Sequence, residues 1–170
     1  MKNKITSILF IFFLLSSSSI SFAQTEKFEK AEVENSIVFN ADAQSVWIYL
    51  SDLSNLKNLV PSTIKESVTN GNGKGSTVSL TLVNGGKIVE KVSFFNNKRK
   101  KINYVMIETP LPIQNYLASF LVDDIGDKRV RVTFKAVFEV QSKNRKFRLD
   151  AFQNLQLELL ENLKKLKSEK

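Results

Sequence analysis

From Gly73 to Val140 apolar and polar residues alternate through most of the chain. Val78, Leu80 and Leu82 share one parity, with Thr77, Ser79 and Thr81 on the other. Ile88, Glu90, Val92 and Phe94 form the next set, and Ile102, Tyr104, Met106 and Glu108 the one after it. Tyr116 to Val122 continues the pattern, and Val130, Val132, Phe134, Ala136, Phe138 and Val140 close it. A period of two sends successive side chains to opposite faces, so this pattern predicts antiparallel strands with one face to be covered. Asn70-Gly71-Asn72-Gly73, Asn84-Gly85-Gly86, Asn96 to Lys101 and Asp123 to Lys128 supply the turns. Pro110-Leu111-Pro112 interrupts pairing, because proline has no N–H to donate. Upstream, Val33 to Phe39 and Ile64 to Thr69 read as two further strands.

The period changes in two places. Val46, Trp47, Leu50 and Leu53 recur at helical spacing after Asn40-Ala41-Asp42, which offers N-cap chemistry, so a short helix is expected over Ala43 to Leu53. Leu56, Leu59 and Val60 suggest a second short turn of helix that stops near Pro61. At the other end, Leu149, Phe152, Leu155, Leu159, Leu160, Leu163 and Leu166 form a broad apolar stripe, which predicts one helix from Phe147 to Leu166. At about 1.5 Å per residue it spans roughly 30 Å, enough to cross a sheet. The order of elements implies an α+β fold: a curved antiparallel β-sheet gripping a long C-terminal α-helix, with two short helices after the first strand.

The first residues read differently. Lys2 and Lys4 precede an apolar run from Ile5 to Leu15, then Ser16 to Ser19 and the small-x-Ala ending Ser21-Phe22-Ala23. This is the pattern of a cleavable signal peptide over 1–23, with Gln24 as the new N-terminus and export to the periplasm or extracellular medium as the consequence. Residues 24–32 then form an N-terminal arm and 33–168 one domain, large enough to bury a core without disulfides. Composition narrows the chemistry further. The chain has no histidine and no cysteine, which excludes His/Cys zinc sites and Ser-His-Asp or Cys-His nucleophilic systems. No metal or other cofactor is expected. Losing Lys2 and Lys4 lowers the net charge from +8 to about +6. The basic residues gather at Lys98, Arg99, Lys100 and Lys101 in one turn, and at Lys143, Arg145, Lys146 and Arg148 ahead of the last helix. Solvated loops explain them; an anionic membrane surface is the partner they would suit. Nucleic acid is not expected, since no aromatic residue interleaves the basic run.

Four short patterns occur in order: Ala43-Gln44-Ser45-Val46-Trp47 (A-x-x-V-W), Gly73-Lys74-Gly75 (G-x-G), Gly85-Gly86-Lys87-Ile88-Val89-Glu90-Lys91-Val92 (G-G-x-x-x-E-x-V) and Pro110-Leu111-Pro112-Ile113-Gln114-Asn115-Tyr116 (P-L-P-x-x-N-Y). Together they resemble the START-like, helix-grip superfamily, in particular its bacterial polyketide cyclase/dehydrase-type (SRPBCC) branch, over about Val33 to Leu166. Many relatives carry Arg three residues after the second glycine of G-x-G, where this chain has Val78, and Trp near the middle of the last strand, where it has Phe134. The resemblance implies an apolar cavity between sheet and long helix. It also implies lipid-, sterol- or polyketide-like ligands, with cyclisation or dehydration in some members.

Glu90 is the outstanding candidate, because it is a carboxylate between Ile88 and Val92 on an apolar strand face. Glu108 follows Met106 on the same parity of its own strand; two inward carboxylates would share a proton. Tyr104 and Tyr116 combine an aromatic body with a polar tip suited to orienting a ligand. Phe94, Phe120, Phe134, Phe138 and Phe152 either line a pocket or fill it, and Trp47 belongs to the core. The leading expectation is an exported monomer that binds a small hydrophobic molecule. The rival is an enzyme using Glu90 or Glu108 as general base and Tyr104 or another tyrosine as acid.

Overall fold

A computed structural model describes residues 27–168. The expected signal peptide and its cleavage site lie outside the described residues. Seven strands, β1 (Phe28–Asn40), β2 (Ile64–Asn70), β3 (Thr77–Leu82), β4 (Lys87–Asn96), β5 (Lys101–Glu108), β6 (Ile113–Asp124) and β7 (Arg129–Gln141), form one antiparallel sheet in the order β1-β7-β6-β5-β4-β3-β2. Between β1 and β2 come α1 (Ala43–Ser51), a single 3-10 turn (Leu53–Asn55) and α2 (Leu56–Leu59); α3 (Ser142–Lys167) ends the chain. The expected α+β architecture is what the chain adopts.

Local chemistry accounts for the joints. Asp42 caps α1 by accepting a hydrogen bond from the Ser45 N–H at 2.7 Å, as the N-cap signal predicts. Gly85 turns β3 into β4 at φ +85°, a left-handed conformation that costs glycine little. Trp47, 1% exposed, is part of the core; its Nε1–H donates to Asn97 Oδ1 at 2.9 Å and its ring packs on Phe95.

Two elements exceed their expected bounds, and they support each other. β1 begins at Phe28 rather than Val33, so most of the expected N-terminal arm is strand, in register with β7 from Phe28↔Gln141 onward. α3 begins at Ser142, directly after β7, so Lys143, Arg145, Lys146 and Arg148 stand in its first turns rather than in a loop before it. Ser142 Oγ bonds Glu29 Oε1 at 2.9 Å and Arg145 Nη1 donates to the Lys30 carbonyl at 3.0 Å. Neither segment carries an apolar stripe; the pairing between them stabilises both.

The sheet face toward α3 holds the core. Phe152, Leu159, Leu160 and Leu163 of the helix are buried against it, while Leu166 at its end is exposed. Four β-bulges change which residues reach that face. One lies in β2 between Ile64 and Glu66, one in β5 opposite Val89/Glu90, one in β4 between Val92 and Phe94, and one in β6 between Gln114 and Leu117. An extra residue shifts the inward parity of everything beyond it.

Candidate functional site

Beneath α3 the core is incomplete. A cavity of roughly 160 Å³ is enclosed by the sheet, α2 and α3. Its inner wall comes from Ile88 and Glu90 of β4, Tyr104 of β5, Tyr116 of β6 and Phe134 of β7, all buried. Its partly exposed wall comes from Thr63, Met106, Leu111, Arg148, Ala151 and Leu155, which therefore form the mouth. Leu111 belongs to the Pro110-Leu111-Pro112 loop, so the break in pairing there places an apolar residue over the opening. A depression of about 510 Å³ beside α1 is larger but more polar-walled, and its carboxylate, Asp52, is engaged in capping the Ser54 N–H. The chemistry points to the cavity under α3.

The bulge in β6 builds part of it. Asn115 sits at φ 51° and donates from Nδ2 to Glu139 Oε2 at 2.9 Å, outside the core. That extra residue takes Tyr116 to the inner face, where it stacks on Phe152 with ring centroids 5.4 Å apart. Phe152 in turn packs on Phe138 at 4.7 Å. Tyr104 packs on Phe120, and Phe120 on Phe134 at 4.4 Å. Phe134 and Phe152 line the cavity; Phe120 is fully buried behind Tyr104 and lines nothing.

Glu90 is 3% exposed, and its Oε2 has no hydrogen-bond partner. Its cross-strand neighbour on β3 is Val78, an apolar residue. With no cation opposite, burial alone acts, and it pushes the Glu90 pKa up to about 8. At neutral pH the group is a carboxylic acid, not a carboxylate. Burial also raises the Tyr104 and Tyr116 hydroxyls well above the usual tyrosine range, and Glu90 adds to both shifts, with Tyr116 adding to that of Tyr104. The three groups thus form one cluster of neutral acids on an otherwise apolar wall.

Besides Phe120, two expected members are absent from the cavity wall. Phe94 is 37% exposed, because the bulge after Val92 gives its inward place to Phe95, which meets Trp47 instead. Glu108 is exposed on the opposite face beside Val89, because Ile107 is the extra residue of the β5 bulge. The condition for a shared proton, both carboxyls pointing inward, is therefore not met. Arg148, which the sequence pattern groups with loop cations, lines the mouth, one turn before Phe152 on the same helical face. The spacing 148, 152, 155, 159 carries that signal. Lys98 to Lys101 contribute nothing to the cavity wall. Among the described residues, no cluster of three or more His, Cys, Asp or Glu could hold a metal ion, and no helix is long and apolar enough to cross a membrane.

Residues 30–169 match the family described as polyketide cyclase / dehydrase and lipid transport. Solved structures share the fold. The protein XoxI from Bacillus cereus aligns at TM-score 0.72 with 20% identity, over 81% of this chain and 95% of that one. An aromatase/cyclase from a Streptomyces species aligns at 0.71 with 16% identity, over 81% and 93%. Norcoclaurine synthase from Thalictrum flavum aligns at 0.67 with 18% identity, over 82% and 94%. No curated protein matches the chain.

Proposed function

The chain belongs to the polyketide cyclase / dehydrase and lipid transport family, and from that premise we propose that it is an exported binding protein for a small hydrophobic molecule held between sheet and α3. The observation that carries this reading is the apolar cavity with the unpartnered Glu90 carboxyl on its wall. A filled core would leave neither the space nor the costly orphan group. Binding would draw on desolvation of apolar ligand surface at about 25 cal/mol per Å². Glu90, Tyr104 and Tyr116 would set orientation by hydrogen bonds, with the aromatic rings of Phe134 and Phe152 as walls.

Mass spectrometry of protein purified from its own host under native conditions tests the proposal. A bound small molecule that is released by denaturation is expected; a bare chain that also fails to take up an apolar fluorescent dye would overturn it. Export is tested by N-terminal peptide mapping. A chain starting at Gln24 is expected, and one starting at Met1 would remove the periplasmic or extracellular assignment.

The protonation of Glu90 favours one form of the alternative, a cyclase/dehydratase-type enzyme. A carboxyl titrating at about 8 is mostly protonated at neutral pH, so it acts as general acid rather than general base. Tyr104 and Tyr116, pushed further from ionisation, would orient a carbonyl rather than supply the proton. Turnover that falls as pH rises through 8, and is lost in Glu90→Gln with binding retained, is the expected signature of that chemistry.

A further inference from the structure

Arg148 is the cation at the mouth that the rest of the fold does not use. Arg145 is engaged with the Lys30 carbonyl, and Lys146 with Asp150 at 2.6 Å. Arg148 lines the cavity, is half-buried, and keeps its Nε away from water with no hydrogen-bond partner. Among the described residues no carboxylate pairs with it, and the exposed ring of Phe147 lies 5.0 Å from its guanidinium. Burial alone acts on its pKa, and lowers it. A guanidinium held partly out of water without an anion is a cost that a bound anion removes. Its planar fork matches a carboxylate in a way a lysine does not.

We infer that the cavity takes a compact aromatic acid, its ring seated among Tyr104, Tyr116, Phe134 and Phe152 and its carboxylate held by Arg148 at the mouth. This rests on the binding reading above and names its ligand class. Three observations converge on it. The cavity of roughly 160 Å³ is close to the ~150 Å³ that accommodates a benzene ring, and is small for a sterol. Aromatic rings stand among its aliphatic residues on both sides, Tyr104, Tyr116 and Phe134 from the sheet and Phe152 from the helix. The buried inner wall disfavours ionisation of Glu90 and would disfavour a ligand carboxylate in the same way, so the acid group belongs at the Arg148 end.

Phenylacetate and phenylacetamide are the probes, titrated by calorimetry and by NMR of the Tyr104 and Tyr116 ring signals. Wild type is expected to bind the acid at least about ten-fold tighter than the amide. Arg148→Gln is expected to bring the acid down to the level of the amide while leaving amide binding unchanged, which also shows that the variant is folded. Arg148→Lys is expected to keep part of the preference. Equal affinity of wild type for the two probes, or an unchanged preference in Arg148→Gln, overturns the assignment of an acid to Arg148 and leaves the cavity reading standing. Failure of both probes to bind wild type or shift either ring overturns both.

Discussion

One helix presents two buried edges to the same sheet, and they are finished differently. Toward β1, Gln156 is fully buried, and both ends of its amide are used. Nε2 donates to the Val33 carbonyl at 3.2 Å, and Oε1 accepts from Asn35 Nδ2 at 2.8 Å. Gln153 exchanges a second pair of bonds with the Asn35 side chain. Toward β4 and β5, one residue from Gln156, α3 offers Phe152, Leu155 and Leu159 to a cavity, and the buried polar group there, Glu90, keeps an oxygen without a partner. A satisfied buried amide locks helix to sheet in one register. An unsatisfied buried acid destabilises the fold it sits in, and natural chains keep such groups where a ligand or a reaction uses them.

The contrast breaks most sharply on the packed side. Leu160 is 1% exposed and is not part of the cavity wall. Leu160→Ala is expected to cost about 2–5 kcal/mol in a denaturant melt, because the hole it leaves has no ready filler. A loss below roughly 0.5 kcal/mol, in the range of surface changes, would place Leu160 outside the packing.

On the cavity side the sign reverses. Glu90 titrates near 8 when folded, against 4.5 for the ordinary group. Between these values the folded protein holds a proton that the unfolded chain has lost. Stability is therefore fully present below the lower value and falls by about 1.4 kcal/mol per pH unit up to the higher one. At neutral pH the accumulated penalty is on the order of 3 kcal/mol. Glu90→Gln is expected to flatten this slope and to be more stable than wild type at pH 8. A wild-type melt whose midpoint is constant from pH 5 to 8 would show instead that Glu90 has found a partner.

Removing the amide on the closed side is the third step. Gln156→Ala orphans the Val33 carbonyl and one Asn35 bond, and is expected to cost about 1–3 kcal/mol with no change in pH slope. If the slope changes, the two edges of α3 are coupled, and the division drawn between them fails.

The same two edges differ in how they are legible from sequence. Alternation and the leucine stripe are enough to place the sheet, the helix order and the grip, because burial of one face is what both periodicities record. They also single out Glu90, Tyr104 and Tyr116. Long-range pairing is not recorded there: Phe28 to Glu32 and Ser142 to Lys146 become regular through each other, by Ser142–Glu29 and Arg145–Lys30. Nor are bulges. Parity counted across an extra residue points the wrong way, which is why Phe94 and Glu108 were expected inside. Tyr116, beyond its bulge, keeps its parity with Ala118 and Phe120. Arg148 was hidden by its neighbours, since a run of cations reads as a solvated loop until the helix register separates one from the rest.

The smallest effects sharpen the point about parity. Phe94 and Phe95 are adjacent phenylalanines that alternation assigns to opposite faces, and the bulge after Val92 decides which one faces in. Phe95 packs on Trp47 with ring centroids 5.4 Å apart, and that pair carries about 1 kcal/mol beyond its area. Threonine is a good strand former, so it removes the ring without disturbing the backbone. Phe95→Thr is expected to lose more than 1 kcal/mol, whereas Phe94→Thr is expected to stay within about 0.5 kcal/mol, as a surface change does. Glu108→Gln should likewise leave stability unchanged, because the bulge at Ile107 has taken that carboxylate to the solvent face. The reverse ranking of the two phenylalanines in equilibrium unfolding would mean that β4 runs without its bulge. Phe94 would then return to the inner face, and the inward set on β4 would be the one simple alternation predicts.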